Sequence, residues 1–76
     1  MEIKYFNDTD TLLVVFNQNE VDETKDLNEN VLLDLDTNGN IVAMTIEHAK
    51  NMTNVLNFSF QQINEKYEKI KELVVA

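Results

Sequence analysis

The sequence predicts an α+β fold: an antiparallel β-meander of about five strands over residues 1–48, then one long C-terminal helix over residues 49–76 packed on one face of the sheet. Three observations predict it. The first half consists of short apolar or alternating runs separated by Asn- and Asp-rich turns, the pattern of strands joined by hairpins. After about Ala49 the apolar spacing changes to threes and fours, the pattern of a helix. The 76 residues contain no proline, linker or internal repeat, so a single domain spanning 1–76 is the expected organisation.

Ile3 and Tyr5 alternate with polar neighbours, and Asn7-Asp8-Thr9-Asp10 closes that first run. Thr11 to Asn17 follows, with Leu12, Val14 and Phe16 on one side and Leu13 and Val15 on the other, so both faces of this strand are apolar. Asn17-Gln18-Asn19 turns the chain into a weak polar strand, Glu20 to Leu27, whose charges suit a sheet edge. Val31 to Asp36 forms the next strand, and Asn38-Gly39, a pair that tolerates positive φ, turns it into Ile41 to Glu47. Strands paired in chain order are the simplest arrangement. In the second half, Leu56, Phe60, Ile63, Tyr67, Ile70 and Val74 make a heptad-like seam, with Ser59-x-x-Gln62 as a capping box or an earlier start near Asn51 or Thr53. Glu65–Lys69 and Glu68–Lys71 have helical ion-pair spacing. If that helix is docked, Phe60→Ala is expected to cost about 3–5 kcal/mol.

The formal net charge of −8 is unevenly placed. Residues 1–30 carry eight acids and two lysines, residues 31–46 add Asp34 and Asp36, and residues 47–76 balance four glutamates with four lysines. Such a surface repels phosphate backbones and offers no lysine stripe, so direct nucleic-acid binding is not expected. A basic protein partner is the compatible alternative, with the acidic edge Asp22, Glu23 and Asp26 as its contact. Cysteine is absent, which excludes a disulfide framework, a thiolate metal site and a cysteine nucleophile. The longest apolar run, Leu12 to Phe16, is far too short to span a membrane, and Met1-Glu2-Ile3-Lys4 does not resemble a signal peptide. A cytoplasmic location is expected.

The order Tyr5, Asp10-x-Leu12, Phe16, Glu23, Val31-Leu32-Leu33-Asp34-Leu35-Asp36 and Gly39-x-Ile41-Val42 resembles the domain of unknown function 2283 family over roughly residues 1–50. The resemblance implies this order of strands in a small, mostly bacterial protein, and carries no assigned activity. Members resembling partners of small ribonuclease-type toxins imply an antitoxin-like role. The family's last strand usually reads glycine, isoleucine, glutamate, isoleucine, whereas this chain has Ala43, Met44, Thr45 and Ile46, so no role of that glycine or glutamate carries over.

Asp34-x-Asp36-x-Asn38-Gly39-x-Ile41 matches the first half of an EF-hand loop, but Thr45 stands where the bidentate glutamate belongs and both flanks are strand-like. A hairpin with no metal function is the expected reading. The only histidine, His48, lies at the strand-to-helix junction, where capping or exposure is its ordinary role. Asp34 and Asp36 share a strand face without an evident pocket or base, and one glycine cannot build a phosphate loop. Neither catalytic residues nor a cofactor is expected, and the chain reads as a non-enzyme.

One helix covers one face of a sheet. Leu13, Val15, Leu32, Ile41 and Ala43 alternate onto the other face and are the expected contacts of a homodimer. Two functions from different classes follow. The first is a small acidic interaction module, antitoxin-like, that binds a basic protein. The alternative is a phage-type inhibitor that mimics nucleic-acid phosphates and occupies a channel in a host defence complex. A mimic needs acids in rows on one face; a module needs apolar surface ringed by them.

Overall fold

A computed structural model of the protein describes residues 1–64. Five antiparallel strands form one sheet: β1 (Glu2–Phe6), β2 (Thr11–Val15), β3 (Glu23–Asn28), β4 (Val31–Leu35) and β5 (Ile41–Glu47). Their order across the sheet is β1-β2-β5-β4-β3, which corrects the expected meander. Hairpins join β1 to β2, β3 to β4 and β4 to β5, but β2 pairs with β5, in a Greek-key relation to the last three strands.

Composition explains the reordering. A meander would bury the polar β3 (ETKDLN) in the middle and leave the apolar β5 (IVAMTIE) at an edge. The observed order brings the apolar strands β2, β5 and β4 together in the centre and leaves the two strands with alternating charges outside. Residues 16–22 make the crossing by lying along the end of the β4–β5 hairpin. Phe16 N–H donates to Val42 O (2.8 Å) and Asp22 N–H to Leu35 O (2.8 Å). Between them Asn17 Nδ2 donates to Ile41 O (3.2 Å) and Asn19 Nδ2 to Asp36 Oδ2 (3.0 Å).

Register assigns the faces. Ile3–Val14–Met44–Leu33–Lys25 and Tyr5–Leu12–Ile46–Val31–Asn28 are cross-strand rows of one face, apolar apart from Tyr5 and their ends on β3. Glu2–Val15–Ala43–Asp34–Thr24 and Lys4–Leu13–Thr45–Leu32–Asp26 are rows of the other, where apolar and polar residues intermix. Among the described residues only Val31, Val42, Ala43 and Ala49 are buried, and no large side chain is fully enclosed. The core is correspondingly thin.

No α-helix occurs among the described residues, which corrects, for residues 49–64, the long C-terminal helix expected over residues 49–76. A single 3-10 turn, Ala49–Asn51, is followed by irregular chain, and the seam positions Tyr67, Ile70 and Val74 lie outside the described residues. The local sequence gives the reason. Asn51, Thr53, Asn54, Asn57 and Ser59 are weak helix formers whose side chains compete for backbone groups. Asn54 does so directly: its Oδ1 accepts from Leu56 N–H (3.3 Å) while its carbonyl accepts from Asn57 N–H (3.1 Å). Leu56, expected in the seam, is 90 % exposed, and Phe60 is 73 % exposed. Val55 and Phe58 instead border a groove of about 240 Å³ with Ile3, Leu12 and Val14, so this segment runs over the β1–β2 end of the apolar face.

Candidate interaction surfaces

The hairpin between β4 and β5 is held by Asp36. Its Oδ1 accepts from the N–H groups of Asn38 and Asn40 (both 2.9 Å), and its Oδ2 from Asn19 Nδ2 (3.0 Å) and Asn40 Nδ2 (3.3 Å). Gly39 N–H closes a turn on Asp36 O (3.0 Å), and Gly39 alone of the Asn38-Gly39 pair takes positive φ, at 83°. Asp36 N–H also donates to Asn40 O (2.9 Å), so the loop is the three-residue form, Thr37 to Gly39, with a glycine in the left-handed position, rather than the two-residue form that needs positive φ twice. Within the EF-hand-like spacing, the Asp36 oxygens thus face the turn's backbone amides and the side-chain amides of Asn19 and Asn40.

Those donors, led by the Asn40 N–H, hold the Asp36 carboxyl below its ordinary value of 3.8, against an opposing effect of partial desolvation. A lowered folded value means that the stabilisation is complete above the ordinary value and is lost as pH falls through the folded one. Wild type is therefore expected to lose more thermal stability than Asp36→Asn between neutral and strongly acid pH. Superimposable profiles for the two proteins would contradict the assignment.

A second anchor ties the sheet to the segment that follows it. Asp10, in the β1–β2 turn at φ 53°, accepts from Tyr5 Oη (2.7 Å) and from Lys50 N–H (3.2 and 3.4 Å to its two oxygens). Its carbonyl also accepts from Ala49 N–H (3.0 Å), and Ala49 is fully buried. The hydrogen bond to Asp10, with some desolvation and the carboxylate's charge, raises the Tyr5 phenol above 10.0. Tyr5 and Asp10 are visible in the sequence as strand and turn residues, but their partner lies 40 residues on and no local signal marks it. His48, also left-handed at φ 55°, is exposed, and its Nδ1 lies 3.0 Å from Asn30 Oδ1. This contact joins the β3–β4 turn to the end of β5.

The predicted acidic contacts lie at one sheet edge. Asp22 precedes β3, while Glu23 and Asp26 lie within it, and all three are exposed. Glu23 pairs in register with Leu35 and Asp26 with Leu32, so the two point to opposite faces; Glu23 also sits 3.9 Å from Lys25. Of the predicted second-face residues, Leu13, Val15, Leu32 and Ala43 do share a face, in rows that also contain Thr45, Asp34 and Lys4. Ala43 is buried. Ile41 falls out of the set, because an irregularity after Asp34 places it opposite Leu35, a residue of the other face.

Among the described residues no helix is long and apolar enough to cross a membrane, and no three His, Asp or Glu side chains gather in a metal-ligand cluster. The apolar face continues past the β1 edge as a groove of about 480 Å³ between Met1, Ile3, Phe58 and Phe60.

No curated protein and no solved structure matches the chain. A family model does match, over residues 2–50, a stretch that begins with β1, includes all five strands and ends at Lys50, whose amide binds Asp10. On that match, which agrees with the resemblance carried by Tyr5, Asp10-x-Leu12 and the Val31–Asp36 strand, the chain belongs to the family described as protein of unknown function (DUF2283).

Proposed function

We propose that the protein is a small, non-catalytic, acidic interaction module of the cytoplasm, antitoxin-like, which binds a basic protein through its β3 edge and acts as a homodimer. The observation that carries this reading is the combination of an exposed acidic edge strand, whose outer side has no strand partner among the described residues, with a sheet whose apolar residues are mostly only half-buried. Edge strands with free backbone groups are templates for further pairing, and acidic side chains beside them select basic partners. The phosphate-mimic alternative has less support. Asp10, Asp34 and Asp36 are engaged in hydrogen bonds within the chain, and Glu23 lies on the opposite face of the edge strand from Asp26.

The test is a pull-down from the source cell, followed by binding of the recovered partner at increasing salt. Association with a basic partner is expected to weaken as screening shortens the Debye length to about 10 Å at 0.1 M. Reversing Asp22, Glu23 and Asp26 to lysine is expected to slow association without unfolding the chain, since all three are exposed and none belongs to the core. A partner indifferent to both salt and the triple reversal would remove the acidic edge from the mechanism.

A further inference from the structure

The structure assigns a second docking edge: we infer that a second copy of this chain pairs with β1 through its own β1, antiparallel, about a two-fold axis at Ile3. The two sheets then run on as one. This deepens the association proposed above and is independent of the basic partner at β3.

β1 is an outer strand of the sheet, so one side of its backbone has no strand partner among the described residues. In an antiparallel pair the residues facing each other lie on the same side of the sheet, and a two-fold axis passes through one residue that faces itself. With the axis at Ile3, Glu2 of each copy faces Lys4 of the other, twice by symmetry, on one side of the joined sheet. On the opposite side Ile3 faces Ile3 and Met1 faces Tyr5. An axis at Lys4 would instead set two lysines against each other, so charge selects the Ile3 register. Within one chain Glu2 and Lys4 are already adjacent on this face, at 4.0 Å, and are about half exposed, leaving both free to turn to a neighbour.

The apolar side of the same edge also needs cover. Met1, Phe58 and Phe60 are 74 %, 66 % and 73 % exposed around Ile3, and the groove between them opens at this edge. The two-fold axis at Ile3 brings both copies of the patch together.

The other edge suits a second copy less well. An axis at Glu23, Lys25 or Asp26 sets that charge against itself, and an axis at Thr24 sets Asp22 against Asp26 twice. An axis at Leu27, which would set Lys25 against Glu29, falls on the irregularity between Asp26 and Asn28. For a chain of net charge −8, the edge where one glutamate balances one lysine is where two copies meet with least repulsion.

Sedimentation and light scattering at micromolar concentration are expected to give twice the 8.8 kDa chain mass. Glu2→Lys and Lys4→Glu are each expected to weaken the dimer about tenfold, because like charges then face each other twice. The double variant Glu2→Lys/Lys4→Glu restores it, and an equimolar mixture of the two single variants forms a heterodimer as tight as wild type. Far-UV circular dichroism serves as the folding control. A monomer mass for wild type throughout the range overturns the inference. So does a dimer that the single variants leave unchanged, which would put the second copy on the Leu13–Leu32 face, or a loss that neither the double variant nor the mixture repairs. These masses read self-association alone, so their failure leaves the salt-dependent partner test at β3 standing.

Discussion

Val31→Ala is expected to lower stability by about 2 kcal/mol, and Phe60→Ala by no more than about 0.5 kcal/mol. Val31 is 4 % exposed at the start of β4, between Ile46 on β5 and Asn28 on β3, and the substitution removes two buried carbon groups worth about 0.8 kcal/mol each and leaves a small cavity. Phe60, expected from the heptad spacing to anchor a docked helix, is 73 % exposed, so its truncation falls in the range of ordinary surface changes. Domains of this size commonly have only about 3–5 kcal/mol from one core, so the valine change is a large fraction of the total. Urea unfolding followed by circular dichroism measures both, in the Lys4→Glu background so that loss of the inter-copy patch around Phe60 does not enter. A larger loss for Phe60→Ala than for Val31→Ala would reinstate a packed C-terminal helix.

Asp10→Ala is expected to cost about 2–3 kcal/mol, the largest effect of any polar substitution in the described chain. Alanine at φ 53° bears a steric penalty of about 1–2 kcal/mol, and loss of the carboxylate removes the acceptor for Lys50 N–H, worth about 1 kcal/mol. Asp10→Gly relieves the backbone term alone and is expected to fall between alanine and wild type. Asp10→Asn retains the left-handed preference and one acceptor, and is expected to be the mildest. Hydrogen exchange distinguishes an anchor from a mere turn residue. If Asp10 holds the segment after β5, the amides of Lys50 to Thr53 exchange faster in Asp10→Ala, while those of β4 keep their protection. Unchanged exchange at Lys50 would leave Asp10 as a turn former only.

The contrast between these two sites shows where the sequence could be read. Strand positions followed from period-two patterning and Asn/Asp punctuation, because each depends on neighbours within a few residues. The acidic edge was legible for the same reason: a strand reading Glu-Thr-Lys-Asp-Leu-Asn has no apolar face to bury and belongs outside. That fact already argued against a meander, in which this strand would lie at the centre. The spacing of Leu56, Phe60 and Ile63 was misleading. Periodicity alone does not make a helix when asparagine, threonine and serine between the apolar positions offer the backbone local alternatives, as Asn54 does to Leu56.

By itself the sequence determined five strands, the places of the turns that join β1 to β2, β3 to β4 and β4 to β5, the family, the placement of charge in the first half and the exposure of the acidic strand. The tertiary structure alone decided that β2 lies against β5, that Asp10 meets Lys50 across 40 residues, and that Ile41 leaves the second face at an irregularity in β5. It also decided that β1 is the other outer strand of the sheet. The physical reason is one of range. Turn and strand signals are carried by adjacent residues, whereas strand order is set by which apolar strands bury most surface together. That sum runs over pairings far apart in the chain, and no single stretch of it records the outcome.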